Sequence, residues 1–288
     1  MSVARLIVNA DDLGMSPGVT DGILFAHRHG AVTSTSMMAN QPSSEYAVEQ
    51  LKGVPNLSVG VHLTLDQGRP LLPANKVPTL VRENGEFYSN DDLRARLWRR
   101  KVDANEIEAE FRAQIRWMKE RGVVPSHADS HRHIHFYPYV ARAFYRACRK
   151  EQIARVRVPR IRHFPRSGYV GGPHAGSIQR RLLVTLYMEL LMRGRFHSLR
   201  RADCRVEADP RYNRQDSLSE GWRLVVENLP PGTYEFVCHP GFAEDNPVTK
   251  EFPGFTRRRE LELEILTDRK FLGLIENKQI QLINFHQL

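Results

Sequence analysis

Short apolar runs alternate with longer amphipathic stretches along this chain of 288 residues. Strands of a parallel sheet are short, apolar and bounded by turn residues, and helices connect them. The alternation therefore predicts an α/β fold in which strand and helix units form a parallel sheet or barrel. The segments with the clearest strand pattern are 4–10, 31–39, 57–65, 154–159, 233–239 and 279–285.

Helical periodicity fills the intervals between these predicted strands. Residues 17–26 read as a loop that enters a helix. From Asp103 to Arg121, apolar residues recur at spacings of three and four, and Gly122 then ends the helix. Thr256 to Leu274 repeats the helical pattern before the last strand. Because no linker, repeat or low-complexity tract interrupts the chain, we expect a single domain over 1–288.

The longest interruption of the pattern is 160–221, which we interpret as an insertion or lid. It begins with a loop rich in Pro and Gly, and arginines flank an apolar helical run from Leu182 to Met192. This run is too short to cross a bilayer, which takes about 20 residues. Two interpretations stay open: a helix packed on the outside of the barrel, or an interfacial helix that meets an apolar or membrane-bound substrate.

Composition narrows the class of protein. With 41% hydrophobic and 26% charged residues, the chain has the composition of a soluble globular protein. The first apolar run is too short for a signal segment. Cys148, Cys204 and Cys238 are too widely and irregularly spaced for a disulfide framework or a CxxC metal site. We therefore expect a protein of the cytoplasm.

The chain is basic, with 42 Lys and Arg against 33 Asp and Glu and a formal charge of +9. Twelve of the arginines lie between 155 and 205, against Glu189 and Asp203. Such an excess suits nucleic acid, anionic lipid or an acidic substrate. Nucleic acid suits the pattern least, because the arginines flank an apolar helix and are not interleaved with aromatic residues.

The first candidate for chemistry is the pair Asp11 and Asp12, which ends the first predicted strand. Functional residues of α/β barrels lie at the carboxyl ends of strands. Two adjacent carboxylates repel each other unless a cation or a proton lies between them. The alternative is that Asp12 caps the following helix, which leaves Asp11 without a role.

The second candidate is His62, on a predicted strand whose side chains alternate between an apolar and a polar face. Ser58, Gly60, His62, Thr64 and Asp66 share the polar face, so that face must meet polar groups. A lone histidine on a strand is more often a structural residue than a metal ligand, and this alternative stays open.

The third candidate is a cluster of four histidines between residues 127 and 135. If 126–135 is extended, His127, Asp129, His131, His133 and His135 fall on one face. One or two of these histidines then suit a metal ion, and Asp129 suits the role of orienting a ligand. The alternative is a solvated loop rich in histidine.

One Asp with two His is a common ligand set for a catalytic metal ion that keeps positions open for water and substrate. The sequence has no HExxH, GxSxG or Walker motif that would indicate another chemistry. His239 ends a predicted strand before Pro240 and suits either catalysis or a structural turn.

Together, these motifs resemble the YdjC-type carbohydrate deacetylases, metal-dependent hydrolases related in design to the polysaccharide deacetylases. The resemblance extends from the first strand to about residue 275, although Leu13 and Ser126 stand where the family usually has Phe and Thr. It implies a distorted (βα) barrel that usually forms a homodimer. The matching stretches are VNADDLGMSPGVTDGI (8–23), AVTSTSMMAN (31–40), VGVHLTLDQGRP (59–70), SHADSHRHIHFYP (126–138) and YEFVCHPGF (234–242).

Residue by residue, the resemblance assigns one divalent metal ion to Asp12, His62 and His131. Asp11 would be the general base that activates water, and His239 the general acid that protonates the leaving amine. The ion would be magnesium or zinc, and manganese and cobalt are also compatible with such ligands.

The remaining members of the histidine cluster receive supporting roles. Asp129 and His133 are expected to support a ligand or to contact substrate, while His127 and His135 support the loop.

The expected function is therefore hydrolysis of the acetyl group from an N-acetylated sugar. The substrate would be an N-acetylglucosamine-type oligosaccharide or a glycolipid such as a hopanoid conjugate. The arginine-flanked segment 180–201 favours a lipid-linked substrate and a peripheral contact at the inner membrane face. The alternatives are a non-catalytic metal- or sugar-binding module and a metal-dependent phosphoesterase on the same scaffold. We expect a homodimer and no nucleic-acid partner.

Overall fold

Strands and helices alternate along the chain, as the hydrophobic pattern predicts. The computed structural model describes residues 3–164, 186, 187, 190, 194, 197–243 and 253–288, with the backbone alone at 253–256. The strands are β1 (Ala4–Leu13), β2 (Ser34–Met37), β3 (Ser58–Leu63), β4 (Ala128–Ser130), β5 (Ile161–Phe164), β6 (Cys204–Ala208), β7 (Gly232–Cys238) and β8 (Gln281–Leu282). The helices are α1 (Pro17–His29), α2 (Ser44–Leu51), α3 (Asn90–Trp98), α4 (Ala104–Glu120), α5 (Pro138–Lys150), α6 (Leu218–Glu227), α7 (Pro253–Thr267) and α8 (Arg269–Asn277).

The chain forms two compact units, and both β1 and β2 continue from one unit into the other. The first unit comprises the chain up to Ala10, Asp21–Ser34 and the chain from Arg157 onward. The second unit comprises Asp11–Thr20 and Thr35–Val156. Because β1 changes unit after Ala10, the pair Asp11 and Asp12 belongs to the second unit.

In the first unit the strand order is β1, β7, β6 and β5, with every neighbour parallel and β8 paired to β1. The register places Val8 beside Phe236. Trp222 of α6 packs edge-on against Phe236, with ring centroids 4.7 Å apart. Arg157 and Glu235 form a fully buried ion pair at 2.6 Å. The core of this unit is therefore apolar between sheet and helix, and it contains a paired charge.

In the second unit β3 lies between β2 and β4, and β3 and β4 are parallel. The helix predicted over 103–121 is confirmed as α4, and the Asp103 side chain caps it by accepting the Asn105 N–H. Phe111 of α4 packs edge-on against Phe144 of α5, with ring centroids 6.3 Å apart. The predicted α/β class, with helices between the strands of a parallel sheet, is confirmed.

Some predicted segments differ from the structure. The segment 154–159 forms an isolated bridge at Val156 and not a full strand. Pro159 has no N–H with which to extend a ladder of hydrogen bonds. The predicted helix from Thr256 to Leu274 is two helices, because Asp268 lies between them and its side chain caps α8 by accepting the Phe271 N–H.

The predicted insertion 160–221 contains two strands of the sheet. Strands β5 and β6 are paired to each other, and β6 is paired to β7. Most of the predicted helix from Leu182 to Met192, and most of the predicted membrane contact at 180–201, lies outside the described residues. Among the helices that the structure describes, none is both long enough and apolar enough to span a membrane.

Candidate metal centre

The candidate metal centre begins at the end of β1, with two adjacent carboxylates beside one imidazole. Asp12 Oδ1 lies 3.4 Å and Asp11 Oδ2 lies 4.0 Å from His62 Nε2, and both acids are 2% exposed. Neighbouring side chains of a regular strand point to opposite faces. Asp12 has a φ of 74°, in the left-handed region, which Asp tolerates better than most residues. We infer that this backbone turn brings both carboxylates to the same imidazole.

The loop after Asp12 is tied to the start of α1. Ser16 Oγ accepts the Val19 N–H at 3.2 Å, so Ser16 caps the helix. Thr20 Oγ1 accepts the Gly14 N–H at 3.2 Å and donates to the Ser16 carbonyl at 2.9 Å. These bonds fix the loop that positions the two acids.

His62 is buried and is held from its other edge by Asp129. The register pairs His62 of β3 with Asp129 of β4 across the parallel ladder. His62 Nδ1 lies 2.7 Å from Asp129 Oδ1, so the ring donates its Nδ1 proton to this carboxylate. The Nε2 edge of the same ring then faces Asp11 and Asp12.

The carboxylates around His62 favour a positive charge among them, which is either a proton or a metal ion. Burial alone lowers the pKa of His62, but the negative charges of Asp129 and Asp11, with hydrogen bonds to Asp12 and Asp129, raise it to about 10. In the metal-free protein the imidazole is therefore protonated at neutral pH. A buried group of carboxylates is stable only with a positive charge among them, which a proton or a metal ion supplies.

His131 repeats the arrangement seen at His62. Its Nδ1 lies 2.8 Å from Oδ1 of Asp66, a buried carboxylate that follows β3. Arg132 Nε lies 3.3 Å from the other Asp66 oxygen. The His131 and His62 rings lie edge to face, with centroids 5.8 Å apart. His131 therefore lies next to His62, as the predicted ligand set requires.

Both imidazoles thus have a carboxylate at Nδ1, which is the usual way in which proteins orient a histidine that binds a metal ion through Nε2. This donor set fits the predicted ligands Asp12, His62 and His131. One ligand atom each from Asp11, His62 and Asp129 also lies within 4.8 Å of the others. Asp129 lies at the Nδ1 edge of His62, which cannot face the same ion as Nε2. The sequence predicts two possible roles for Asp129, orienting a ligand or contacting substrate. Its position supports the first of these roles.

The prediction that the histidines share one face assumed an extended segment, but the histidine cluster is not extended. Strand β4 ends at Ser130, and the 3-10 turn His131–Phe136 follows, with φ of 51° at Arg132 and 55° at His133. The assumption that 126–135 is one strand is therefore wrong, because the left-handed backbone turns the chain directly after β4.

This turn separates the four histidines by environment. His127 and His135 are fully buried, whereas His131 and His133 are partly exposed. His135 Nδ1 lies 2.5 Å from Ser130 Oγ, and the His135 ring stacks on Phe144 with centroids 4.7 Å apart. His135 therefore belongs to the core, in line with the supporting role that the sequence predicts. The role of His133 in substrate contact stays a prediction.

His239 lies in the first unit, at the end of β7. Its backbone N–H donates to Glu262 Oε2 at 2.6 Å, and its Nδ1 lies 3.9 Å from the same oxygen. Its side chain is 41% exposed. Arg258 Nε donates to the other Glu262 oxygen at 2.8 Å. Glu262 thus holds the residue that is predicted to act as general acid, and that catalytic role stays a prediction.

Sequence reasoning missed the residues of α4 that hold the loop after β3. Gln114 accepts the Thr64 N–H at 2.9 Å and donates to the Thr64 carbonyl at 2.8 Å. Glu110 accepts the N–H groups of Leu71 and Leu72 at 3.0 and 3.1 Å. Burial raises the pKa of Glu110 above its ordinary value. These bonds anchor both ends of the loop that carries Asp66. The sequence signal that could have indicated this role is the pair of polar residues Glu110 and Gln114, four positions apart beside the apolar stripe of α4.

Known proteins resemble this chain over nearly its whole length. Residues 5–277 match the family model described as YdjC-like protein. The carbohydrate deacetylase of Geobacillus stearothermophilus is 34% identical over 282 residues, which are 98% of this chain and 96% of that protein. The carbohydrate deacetylase of Halalkalibacterium halodurans is 32% identical over 263 residues, which are 91% of this chain and 95% of that protein. A crystal structure from Enterococcus faecalis, of a protein named for cellobiose-phosphate cleavage, matches with a TM-score of 0.77 and 30% identity over 99% of both chains.

Proposed function

Because this chain belongs to the YdjC-like protein family, we propose that it is a carbohydrate N-deacetylase that depends on a divalent metal ion at Asp12, His62 and His131. The proposed enzyme class follows two relatives that are named carbohydrate deacetylase and align with nearly the whole chain. The observation that carries the metal dependence is the pair of buried imidazoles, each oriented by a carboxylate at Nδ1.

When bound, a divalent cation supplies Lewis acidity, which polarises a carbonyl group and lowers the pKa of water. Asp11 lies beside the ligands, 4.0 Å from His62 Nε2, and accepts the proton of the attacking water. Asp129 and Asp66 keep the two imidazoles in place. His239 donates a proton to the nitrogen as the bond between carbon and nitrogen breaks. The products are acetate and the free amine of the sugar.

The substrate that we propose is an N-acetylglucosamine-type oligosaccharide or a glycolipid such as a hopanoid conjugate, with His133 in contact with it. The partly exposed position of His133, two residues from His131, supports this contact. We further propose magnesium or zinc as the ion, a homodimer as the assembly, and the cytoplasm, with a peripheral contact at the inner membrane face through 180–201, as the location.

Acetate release, measured on free, oligomeric and lipid-linked N-acetylglucosamine with metal analysis of the same preparation, tests the proposal. Asp11→Asn should retain the metal ion and lose turnover, because the amide cannot accept the water proton. The matched control is Asp91→Asn, which changes an exposed acid in the first turn of α3. Near-normal turnover in Asp11→Asn would show that another group is the base.

The same measurements separate the alternatives. Bound metal without acetate release from any substrate would indicate a binding module. Release of phosphate from a sugar phosphate, in place of acetate, would indicate a phosphoesterase. Unchanged activity after removal of every divalent ion would contradict the metal dependence.

A further inference from the structure

A row of buried polar side chains continues from Asp129 into the interior of the second unit. Ser36 Oγ donates to Asp129 Oδ2 at 2.7 Å, and His127 Nε2 lies 3.1 Å from the same Ser36 oxygen. Ser36, His127 and Asp129 are all 0% exposed. The chemistry proposed above uses neither Ser36 nor His127, although both lie within two hydrogen bonds of the carboxylate that orients His62.

The row extends beyond His127. His127 Nδ1 lies 2.9 Å from Ser126 Oγ, and Ser58 Oγ donates to Ser126 Oγ at 2.8 Å. Ser58 and Ser126 are buried as well, at 1% and 4% exposure. A buried polar network of this size is costly unless its donors and acceptors match, so the direction of each bond carries information.

The direction follows from the chemistry of each group. The Ser36 hydroxyl has one proton, and a carboxylate only accepts, so this proton goes to Asp129. The bond between Ser36 and His127 must then use a proton on His127 Nε2. A neutral ring with its proton at Nε2 accepts at Nδ1, where Ser126 Oγ lies.

The neighbouring groups agree with this direction. Ser126 Oγ lies 3.0 Å from the Val59 carbonyl, which also accepts the Ser126 N–H at 2.7 Å, and 2.9 Å from His127 Nδ1. With the His127 proton at Nε2, Nδ1 needs a donor, and the Ser126 hydroxyl is the group that supplies it. Every donor in the row then points toward Asp129, whose other oxygen accepts the Nδ1 proton of His62.

Gly60 provides the space for the His127 ring. A Cβ atom at Gly60 would lie 2.3 Å from His127 Cε1, closer than real Cβ contacts. In the parallel pair β3 and β4, His62 is beside Asp129. Gly60 is two residues before His62, and His127 is two residues before Asp129. The segments 60–62 and 127–129 therefore lie side by side in register.

We propose that Ser36 and His127 are positioning residues, which hold Asp129 in the orientation that keeps the Nδ1 proton on His62 and leaves Nε2 for the metal ion. Gly60 is the residue that admits the His127 ring. This inference rests on the proposed metal centre. Beyond that proposal, the inference states that residues that do not touch the ion partly set the affinity of the centre for it.

The first test compares two buried serines of the same unit in the full-length protein. Ser36→Ala removes the donor to Asp129, and we expect zinc or magnesium to bind roughly 10- to 100-fold more weakly, as for other losses of an outer partner. Ser36→Thr keeps the hydroxyl and should restore binding. The control, Ser44→Ala, removes a hydroxyl that donates to the Met38 carbonyl at 2.7 Å, and it should lower stability without changing metal affinity.

Isothermal titration of each metal-free variant gives the affinity, and thermal unfolding gives the stability. Equal metal affinity in Ser36→Ala and Ser44→Ala would overturn the proposal, because Ser36 would then act on folding alone. If zinc and magnesium do not bind to the unaltered protein, the proposed metal centre fails, which is a different result.

A double-mutant cycle tests the part that His127 plays. Gly60→Ala should weaken metal binding by displacing the His127 ring. In a His127→Ala background, Gly60→Ala should cost no further affinity, because the ring is gone. Independent losses that simply add would contradict the inference.

Nitrogen-15 NMR of the histidines in the zinc-loaded protein provides a readout that does not depend on folding stability or activity. We expect the His127 resonance, identified by its loss in His127→Ala, to show a proton at Nε2, and that of His62 to show a proton at Nδ1. A proton at Nδ1 of His127 would reverse the direction of the row and overturn the proposal. The His127 result can be read in metal-free protein too, so it stands even if the metal centre fails.

Discussion

At the scale of single residues, His131 and His135 lie four positions apart and have different surroundings. His131 is partly exposed beside His62 and is bound by Asp66, whereas His135 is buried against Phe144. In the proposed centre His131 is a metal ligand, whereas His135 is part of the packed core.

We expect His131→Ala to lower metal affinity by more than the roughly 10- to 100-fold typical of an outer partner, because a ligand itself is removed. His135→Ala should keep the metal and lower the free energy of unfolding by on the order of 2 kcal/mol, because a buried ring leaves a cavity. Metal analysis after dialysis and chemical denaturation of both variants give these quantities. Equal metal content in the two purified variants would mean that the wrong histidine has been identified as the ligand.

At the scale of elements, two glycines with left-handed backbone end β1 and α4 in different surroundings. Gly14 has a φ of 88°, and a Cβ there would lie 3.1 Å from the Met38 carbonyl oxygen and 3.3 Å from Ser44 Cα. Gly122 has a φ of 79°, and a Cβ there would meet nothing within 4 Å. An alanine at either position would therefore have an unfavourable left-handed backbone. Only at Gly14 would its Cβ also contact neighbouring atoms too closely.

Gly122→Ala should lower the free energy of unfolding by about 1–2 kcal/mol, the usual cost of a left-handed residue with a Cβ, and leave metal affinity unchanged. Gly14→Ala should cost more and weaken metal binding, because Gly14 is two residues from Asp12 in the loop that positions both acids. Urea denaturation and metal titration of the pair give the comparison. Unaltered metal binding in Gly14→Ala would show that the loop does not set the position of Asp12.

At the scale of the whole molecule, the protonated His62 links the stability of the metal-free protein to pH. The pKa of His62 is raised from 6.5 to about 10, so its contribution to stability is full below pH 6.5 and is lost as the pH rises through about 10. At the proposed centre a bound cation would take the place of this proton, so apparent metal affinity should rise about tenfold per pH unit below the raised pKa.

The expected result is that metal ions raise the unfolding temperature more at high pH than at low pH. Thermal unfolding with and without a chelator, across the range from pH 6.5 toward 10, measures this difference. A metal-induced shift that is constant over this range would contradict displacement of a proton from His62.

The three cysteines give a second property of the whole molecule. Cys148, Cys204 and Cys238 are buried and form no disulfide. Burial raises the pKa of the thiols of Cys148 and Cys204, so neither forms a reactive thiolate readily. An Ellman titration should therefore give slow reaction in the folded protein and three thiols after denaturation, with two in a Cys148→Ser variant. Rapid reaction of the folded protein would show that the structure opens at these sites.

Strand ends made part of the centre predictable. Asp11, Asp12 and His62 follow apolar strand patterns, and parallel strands bring their carboxyl ends to one edge of a sheet. The partners of the imidazoles were harder to find. The contact between His62 and Asp129 depends on the register of two strands far apart in sequence, and the contact between His131 and Asp66 depends on the turn after Ser130. Neither the register nor the left-handed backbone at Asp12 can be derived from the alternation of polar and apolar residues.

The two carboxylates that orient the imidazoles affect how related genes are classified. A chain that keeps Asp11, Asp12, His62 and His131 but has an apolar residue at position 66 would pass a motif search as an active enzyme. Its second imidazole would lack the group that fixes its orientation, so we expect it to bind metal more weakly although every proposed ligand is present. Genome surveys that assign activity by motif therefore gain from scoring the residue at position 66 together with the proposed ligands.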